Sequence, residues 1–261
     1  AHLLRVAAER KLRRVFIVLP FTNIIDESVD VYRRALCLAT ESTELMEQVV
    51  AAHHHRADFS GYEARCLAAR WDSPIIVTTA VQFFETLAAR DTASLRKLHQ
   101  VAGSAIFVDE AHAAVPPALW PQMFRWLRDL CKDWGCQLVL ASGTLPRFWN
   151  SPGFLQDDER CEIPDLIKSE IRAETMTFEN NRVSIRKQPQ AMSVKALGDF
   201  VLNKPGPRLV IFNTVQSAAV FAHYLREDCK QRLNVEHIST ALTPRDRSQT
   251  VARVKERLTA K

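Results

Sequence analysis

Two acids and a histidine, Asp109-Glu110-Ala111-His112, follow directly on the apolar run Ala105-Ile106-Phe107-Val108. One βα unit further on, a second apolar run, Gln137-Leu138-Val139-Leu140, leads into Ala141-Ser142-Gly143-Thr144. Each run has the length of a buried strand, and open α/β sheets place their chemistry at the carboxyl ends of strands. Adjacent carboxylates at such an end can hold Mg²⁺ and aim a water at a nucleotide γ-phosphate. A four-residue string alone recurs by chance. A strand before the acids and a strand ending in Ser-Gly-Thr after them make the pattern specific. It points to a nucleic-acid-stimulated nucleoside triphosphatase.

The elements that must hold these residues alternate along the chain. Val15 to Leu19 is continuously apolar, and helical periodicity follows from Asp26 to Leu38, with Val29, Tyr32, Arg33 and Leu36 sharing a face. Ile75-Ile76-Val77-Thr78 reads as a buried strand entered through Pro74, and Val81 to Ala89 as a helix with Val81, Phe84, Leu87 and Ala88 on its stripe. A helix from Trp120 to Trp134 closes at Gly135, where a glycine suits the left-handed residue after a helix. Strands separated by helices imply parallel pairing with right-handed crossovers, hence an α/β, doubly wound sheet. From Phe148 to Pro207 the pattern weakens into turn signals. A fresh α/β unit then reads as strand Arg208–Phe212, helix Gln216–Glu227, strand Asn234–Ile238 and helix Pro244–Leu258, the last capped by Thr243. The expected division is 1–178 and 179–261.

The chain of 261 residues is 47% hydrophobic and 25% charged, enough for a large core and too balanced for disorder. Its net charge of +5 and pI near 9.0 lean mildly toward a polyanionic partner. No apolar run approaches the ~20 residues of a membrane span, and nothing at the start reads as a signal peptide. Six scattered cysteines without a C-x-x-C pair suit reduced thiols in a cytosolic protein.

A motor of this kind needs a phosphate loop, G-x-x-x-x-G-K-[ST]. None of the seven glycines is followed by Lys. Residues 1–11 and the strand Val15–Leu19 supply the helix and strand that come after such a loop. The chain therefore reads as an excerpt beginning just after it, and these residues alone are expected to hydrolyse no ATP.

Successive blocks carry a more specific resemblance. They are Leu19-Pro20-Phe21-Thr22-Asn23-Ile24-Ile25, His54-His55, Trp71 to Phe84 and Lys97-Leu98-His99, then Asp109 to His112. Ser142-Gly143-Thr144-Leu145-Pro146, Ile211-Phe212-Asn213-Thr214 and His237-Ile238-Ser239-Thr240 continue them. Together they resemble the CRISPR-associated helicase–nucleases of type I systems, superfamily 2 enzymes with two RecA-like lobes. The resemblance implies one nearly complete RecA-like lobe, the start of a second, and ATP-driven translocation along single-stranded DNA. It implies the cofactors ATP and Mg²⁺, with Asp109 holding the ion through water and Glu110 activating the attacking water. His112 would link the nucleotide site to Ser142 and Thr144, whose hydroxyls relay hydrolysis to lobe movement. Pro20, Phe21, Thr22, Thr78, Thr79, Asn213 and Thr214 would meet the DNA backbone, without reading sequence. Implied partners are an HD nuclease domain, in cis or in trans, and the RNA-guided surveillance complex, in a bacterial or archaeal cytoplasm. The arginine fingers and the HD signature are absent from these residues. Another superfamily 2 motor on DNA or RNA, or a degenerate domain that binds nucleic acid or protein without hydrolysis, remain the alternatives.

Other clusters read as structure. Three consecutive histidines, His53-His54-His55, cannot all face one ion and suit an exposed turn or helix end. Phe124, Leu127, Leu130 and Cys131 form a core stripe rather than a stacking platform with Trp120, Trp126 and Trp134. Arg10-Lys11-Arg13-Arg14 reads as a solvated helix end, and Cys131 and Cys136 as partly buried thiols.

Overall fold

Five segments among the described residues become the strands of one all-parallel sheet: β1 (Val15–Leu19), β2 (Val50–His53), β3 (Ile75–Thr79), β4 (Ala105–Val108) and β5 (Gln137–Leu140). Their order across the sheet is β2-β3-β1-β4-β5. The computed structural model describes residues 2–36, 42–54, 61–89, 91–143, 147–156, 160, 162–228 and 234–259. Four of the strands are legible as apolar runs, whereas β2 is not. Its Val50-Ala51-Ala52-His53 is short and weak in β-branched residues, so pairing to β3 makes it a strand, not local preference.

Pleating sends alternate residues of the sheet to two cores, as a doubly wound sheet requires. On one face Phe16, Val18, Ile76, Ile106 and Val108 pack with residues of α5 (Ala80–Ala88) and α7 (Trp120–Asp133). On the other, Val15, Ile17, Leu19, Ile75, Val77 and Ala105 pack with residues of α1 (His2–Glu9) and α2 (Thr22–Ala35). Three further helices, α3 (Thr43–Val49), α4 (Tyr62–Arg70) and α6 (Thr92–Leu98), complete the crossovers. No described helix is long and apolar enough to cross a membrane. Cys66 and Cys136 are free thiols.

Several expectations shift. α2 starts at Thr22, directly after β1, because the chain turns into helix as soon as the strand ends. The buried stripe of α5 is Ala80, Phe83 and Phe84, with Leu87 packed beside it, and Val81 is exposed. Thr79 caps the helix, its hydroxyl accepting from the Gln82 N–H, so α5 starts at Ala80 directly after β3. Along α7, Trp120, Met123, Phe124, Leu127 and Leu130 are buried, as a core stripe should be. Arg14 is not solvated. Its guanidinium donates to the Asp72 carboxylate (3.2 Å), which Gln100 also engages, joining the lead-in of β1 to that of β3. His53 ends β2 and His54 is buried, while His55 lies outside the described residues.

Residues 1–164 and 165–261 are separate compact units. The second holds α8 (Ser169–Arg182), α9 (Val194–Leu202), α10 (Val215–His223) and α11 (Pro244–Thr259). The expected boundary at 178/179 falls inside α8, a helix with no buried residue that the weak periodicity of this stretch does not announce. The runs 208–212 and 234–238 enter no ladder among the described residues, and Leu209 and Ile211 are 85% and 81% exposed. Strands hold only when a neighbour pairs their backbone. α11 begins as expected, with Thr243 Oγ1 accepting from the Asp246 N–H (3.2 Å).

Candidate active site

The parallel sheet opens all its carboxyl ends along one edge, and there the register places Val108 beside both Val18 and Leu140. The ladder runs one step beyond the strands. The Asp109 N–H donates to Val18 O, and the Ala141 N–H to Val108 O, each at 2.9 Å. Glu110 then leaves the sheet in the left-handed region (φ 44°, ψ 46°). A non-glycine residue there is uncommon and mildly strained. Two contacts hold it. Asp109 Oδ1 accepts the Glu110 N–H at 2.9 Å, and buried Ala111 donates its N–H to Ala141 O at 2.9 Å.

This turn lifts Glu110 and His112 over the end of β5. Ser142 Oγ donates to Glu110 Oε2 (3.2 Å) and lies 2.6 Å from His112 Nδ1, which is itself 3.4 Å from Glu110 Oε2. With its one proton turned to Glu110, the serine hydroxyl accepts from Nδ1–H. Serine and acid thus meet the same ring nitrogen. A hydrolase triad instead needs the acid on one nitrogen and the serine on the other, so this serine is not a nucleophile. The oxygen-rich pair Asp109 and Glu110, half open to solvent, has the donor chemistry that suits a hard divalent cation.

Tyr32 of α2 is a neighbour that spacing reveals only as one position on a helical face. Burial, and then the Asp109 negative charge, push its phenol above the ordinary value.

Of the expected site residues, the structure brings Asp109, Glu110, His112 and Ser142 together. Thr144 lies outside the described residues. Pro20, Phe21 and Thr22 follow β1 at the same sheet edge, and Phe21 is 55% exposed. Thr79 caps α5 at the end of β3. Thr78 is fully buried and its hydroxyl donates to His53 O (3.0 Å), so that side chain is committed to joining β3 and β2 rather than presented to a phosphate. In the second unit Asn213 is exposed, and Thr214 Oγ1 accepts from the Ser217 N–H at 3.1 Å, capping α10.

His53 carries a measurable consequence. Its ring meets Trp71 edge-on at 5.7 Å, and Lys97 Nζ stands over the same indole at 5.0 Å. Burial first, then the Lys97 and His54 charges, lower its pKa from 6.5 to about 4. The unfolded chain binds this proton more readily, so the stabilisation is complete above pH 6.5 and is lost as pH falls toward 4. The full span is worth about 3 kcal/mol, at ~1.4 kcal/mol per pH unit. Urea midpoints measured from pH 7 to pH 4.5 should fall more steeply for the natural protein than for His53→Gln. Equal slopes would show that His53 titrates normally.

No family model matches the chain. It is 22% identical to the CRISPR-associated nuclease/helicase Cas3 of Haloferax volcanii over 265 aligned residues, 82% of this chain and 27% of that protein. The chain thus spans about a quarter of the relative's length, and it is distantly similar to a nuclease/helicase of this kind.

Proposed function

We propose that this chain belongs to an ATP-dependent motor that translocates along single-stranded DNA and unwinds it for degradation in CRISPR antiviral defence. The observation that carries the reading is the bridge of Ser142 to both Glu110 and His112, because it adds a side-chain tie between the acidic strand end and the next strand end to the backbone bonds already there. A site that must report hydrolysis to a moving partner needs such a coupling. The distant likeness to a nuclease/helicase supports the same reading.

Asp109 and Glu110 fit Mg-ATP as oxygen donors, and Asp109 is the residue to hold the ion through its water shell. When bound, the nucleotide supplies the scissile phosphoanhydride and the metal neutralises its charge. Glu110 orients a water and accepts its proton. Ser142 and His112 hold that carboxylate in place. Phe21, exposed at the same sheet edge, is the residue that would meet a strand of nucleic acid drawn across it.

The test is ATP turnover by the full-length gene product with and without nucleic acid. Stimulation by single-stranded DNA over RNA of equal length is expected. Preference for RNA would move the protein to another class of motor, and no turnover under either condition would leave a binding domain.

A further inference from the structure

The positive surplus of the chain is confined to its second unit. Residues 165–261 hold seventeen Lys and Arg against ten Asp and Glu, while residues 1–164 hold eighteen against twenty. Within that unit three arginines converge on one short segment. Arg253 grips Glu236 through two nitrogens, Nε to Oε1 at 3.2 Å and Nη2 to Oε2 at 3.0 Å, and its Nη2 also donates to Thr250 Oγ1 at 3.0 Å. Arg257 Nη1 reaches Glu236 Oε1 at 3.0 Å. Arg226 donates to the neighbouring Val235 carbonyl at 2.8 Å.

The acid is sunk and the bases are not. Glu236 is 17% exposed in its side chain, against 48% and 47% for Arg253 and Arg257. Hydrogen bonds from Arg253 foremost, and then the charges of Arg253, Arg257 and Arg226, hold the Glu236 carboxyl below its usual range. One carboxylate thus meets two guanidinium groups that remain about half exposed, with Arg226 also exposed beside them. A guanidinium already fixed by a carboxylate and a hydroxyl loses little freedom on meeting a second oxyanion. It still has N–H groups to offer.

We infer that Arg226, Arg253 and Arg257, ordered by Glu236, form a phosphodiester-binding surface on which a single strand of nucleic acid rests. This rests on the nucleic-acid part of the proposed function, and it adds a contact face distinct from Asn213 and Thr214. The ligand is recognised by its backbone charge, so DNA and RNA strands share the site.

Binding of oligo(dT) and oligo(U) to the full-length gene product, without nucleotide, tests this across a salt series. Each phosphate contact on a single strand contributes about 0.7 to the slope of log affinity against log salt. Arg257→Gln should lower the slope by about 0.7 and Arg253→Gln/Arg257→Gln by about 1.4 on both oligonucleotides. Arg257→Lys should leave it unchanged, as should Arg182→Gln on α8. Arg257→Gln keeps the Arg253 grip on Glu236, and an unchanged melting temperature certifies its fold. If the natural protein binds while every variant keeps its slope, the cluster is only an internal bridge and the inference falls alone. An equal loss in Arg182→Gln reduces it to bulk charge and also overturns it. If the natural protein binds neither strand, the nucleic-acid reading falls with it.

Discussion

Glu110→Gln in the full-length gene product should reduce DNA-stimulated ATP hydrolysis by roughly 10²–10⁴-fold, the range lost when a positioned general base is removed. The substitution is nearly isosteric. A glutamine oxygen can still accept from Ser142 Oγ, which lies 3.2 Å from Glu110 Oε2, so the bridge to His112 and the left-handed turn are retained. Only the capacity to take a proton from water disappears. Nucleotide binding, measured with a fluorescent ATP analogue, should therefore be unchanged while turnover collapses. This split matters, because a merely structural Glu110 would lose binding and turnover together. Turnover at the natural rate would remove Glu110 from the chemistry, and with it the assignment of this strand end as the hydrolytic centre.

The centre of this site is legible in the sequence because its signal is local. A buried strand is a short apolar run, and the residue after its last position must emerge at the sheet edge, so Asp109 and Ser142 can be placed from their runs alone. Parallel pairing then brings the two ends together with no further information. The hidden parts depend on contacts distant in sequence. The strand β2 exists through pairing with β3, so Val50 to His53 carries little of its own preference. For the same reason the histidines read as an exposed turn, although His53 is the last residue of that strand. Thr78 and Thr79 look equivalent as letters, yet pleating sends one hydroxyl into the sheet and leaves the other to cap a helix.

The second unit shows the converse. Its helix starts are readable, since Thr214 and Thr243 cap by local hydrogen bonds that need no partner. Its expected strands pair with no neighbour among the described residues, because apolar alternation at Leu209 and Ile211 specifies a face but does not itself supply a partner. The arginine cluster is invisible for the related reason that Glu236 and Arg253 are seventeen residues apart and meet only after α11 folds back.

Trp71→Ala should destabilise the protein by about 3–5 kcal/mol, the range for deleting a large buried aromatic. At roughly 2–4 °C per kcal/mol for a unit of this size, the melting transition should fall by about 10 °C. Trp71 is the largest of the fully buried side chains. Its indole meets Phe16 edge-on at 5.1 Å, stacks on Phe83 at 6.2 Å and takes the His53 edge at 5.7 Å. It also faces the buried Lys97 ammonium, whose pKa burial lowers, so removing the ring strips a buried cation of its π partner. Alanine recovers nothing through the backbone, since residue 71 stays left-handed at φ 61° as the cap that ends α4. Trp71→Phe should retain most of the stability, because it keeps an aromatic ring between Phe16 and Phe83. A melting shift of only about 2 °C for the alanine variant would mean that the core repacks around the void. The large shift would instead show why a tryptophan opens the block Trp71 to Phe84. Its work is to fasten the start of β3, so that the far end of the strand presents Thr79 at the edge where Asp109 and Glu110 emerge.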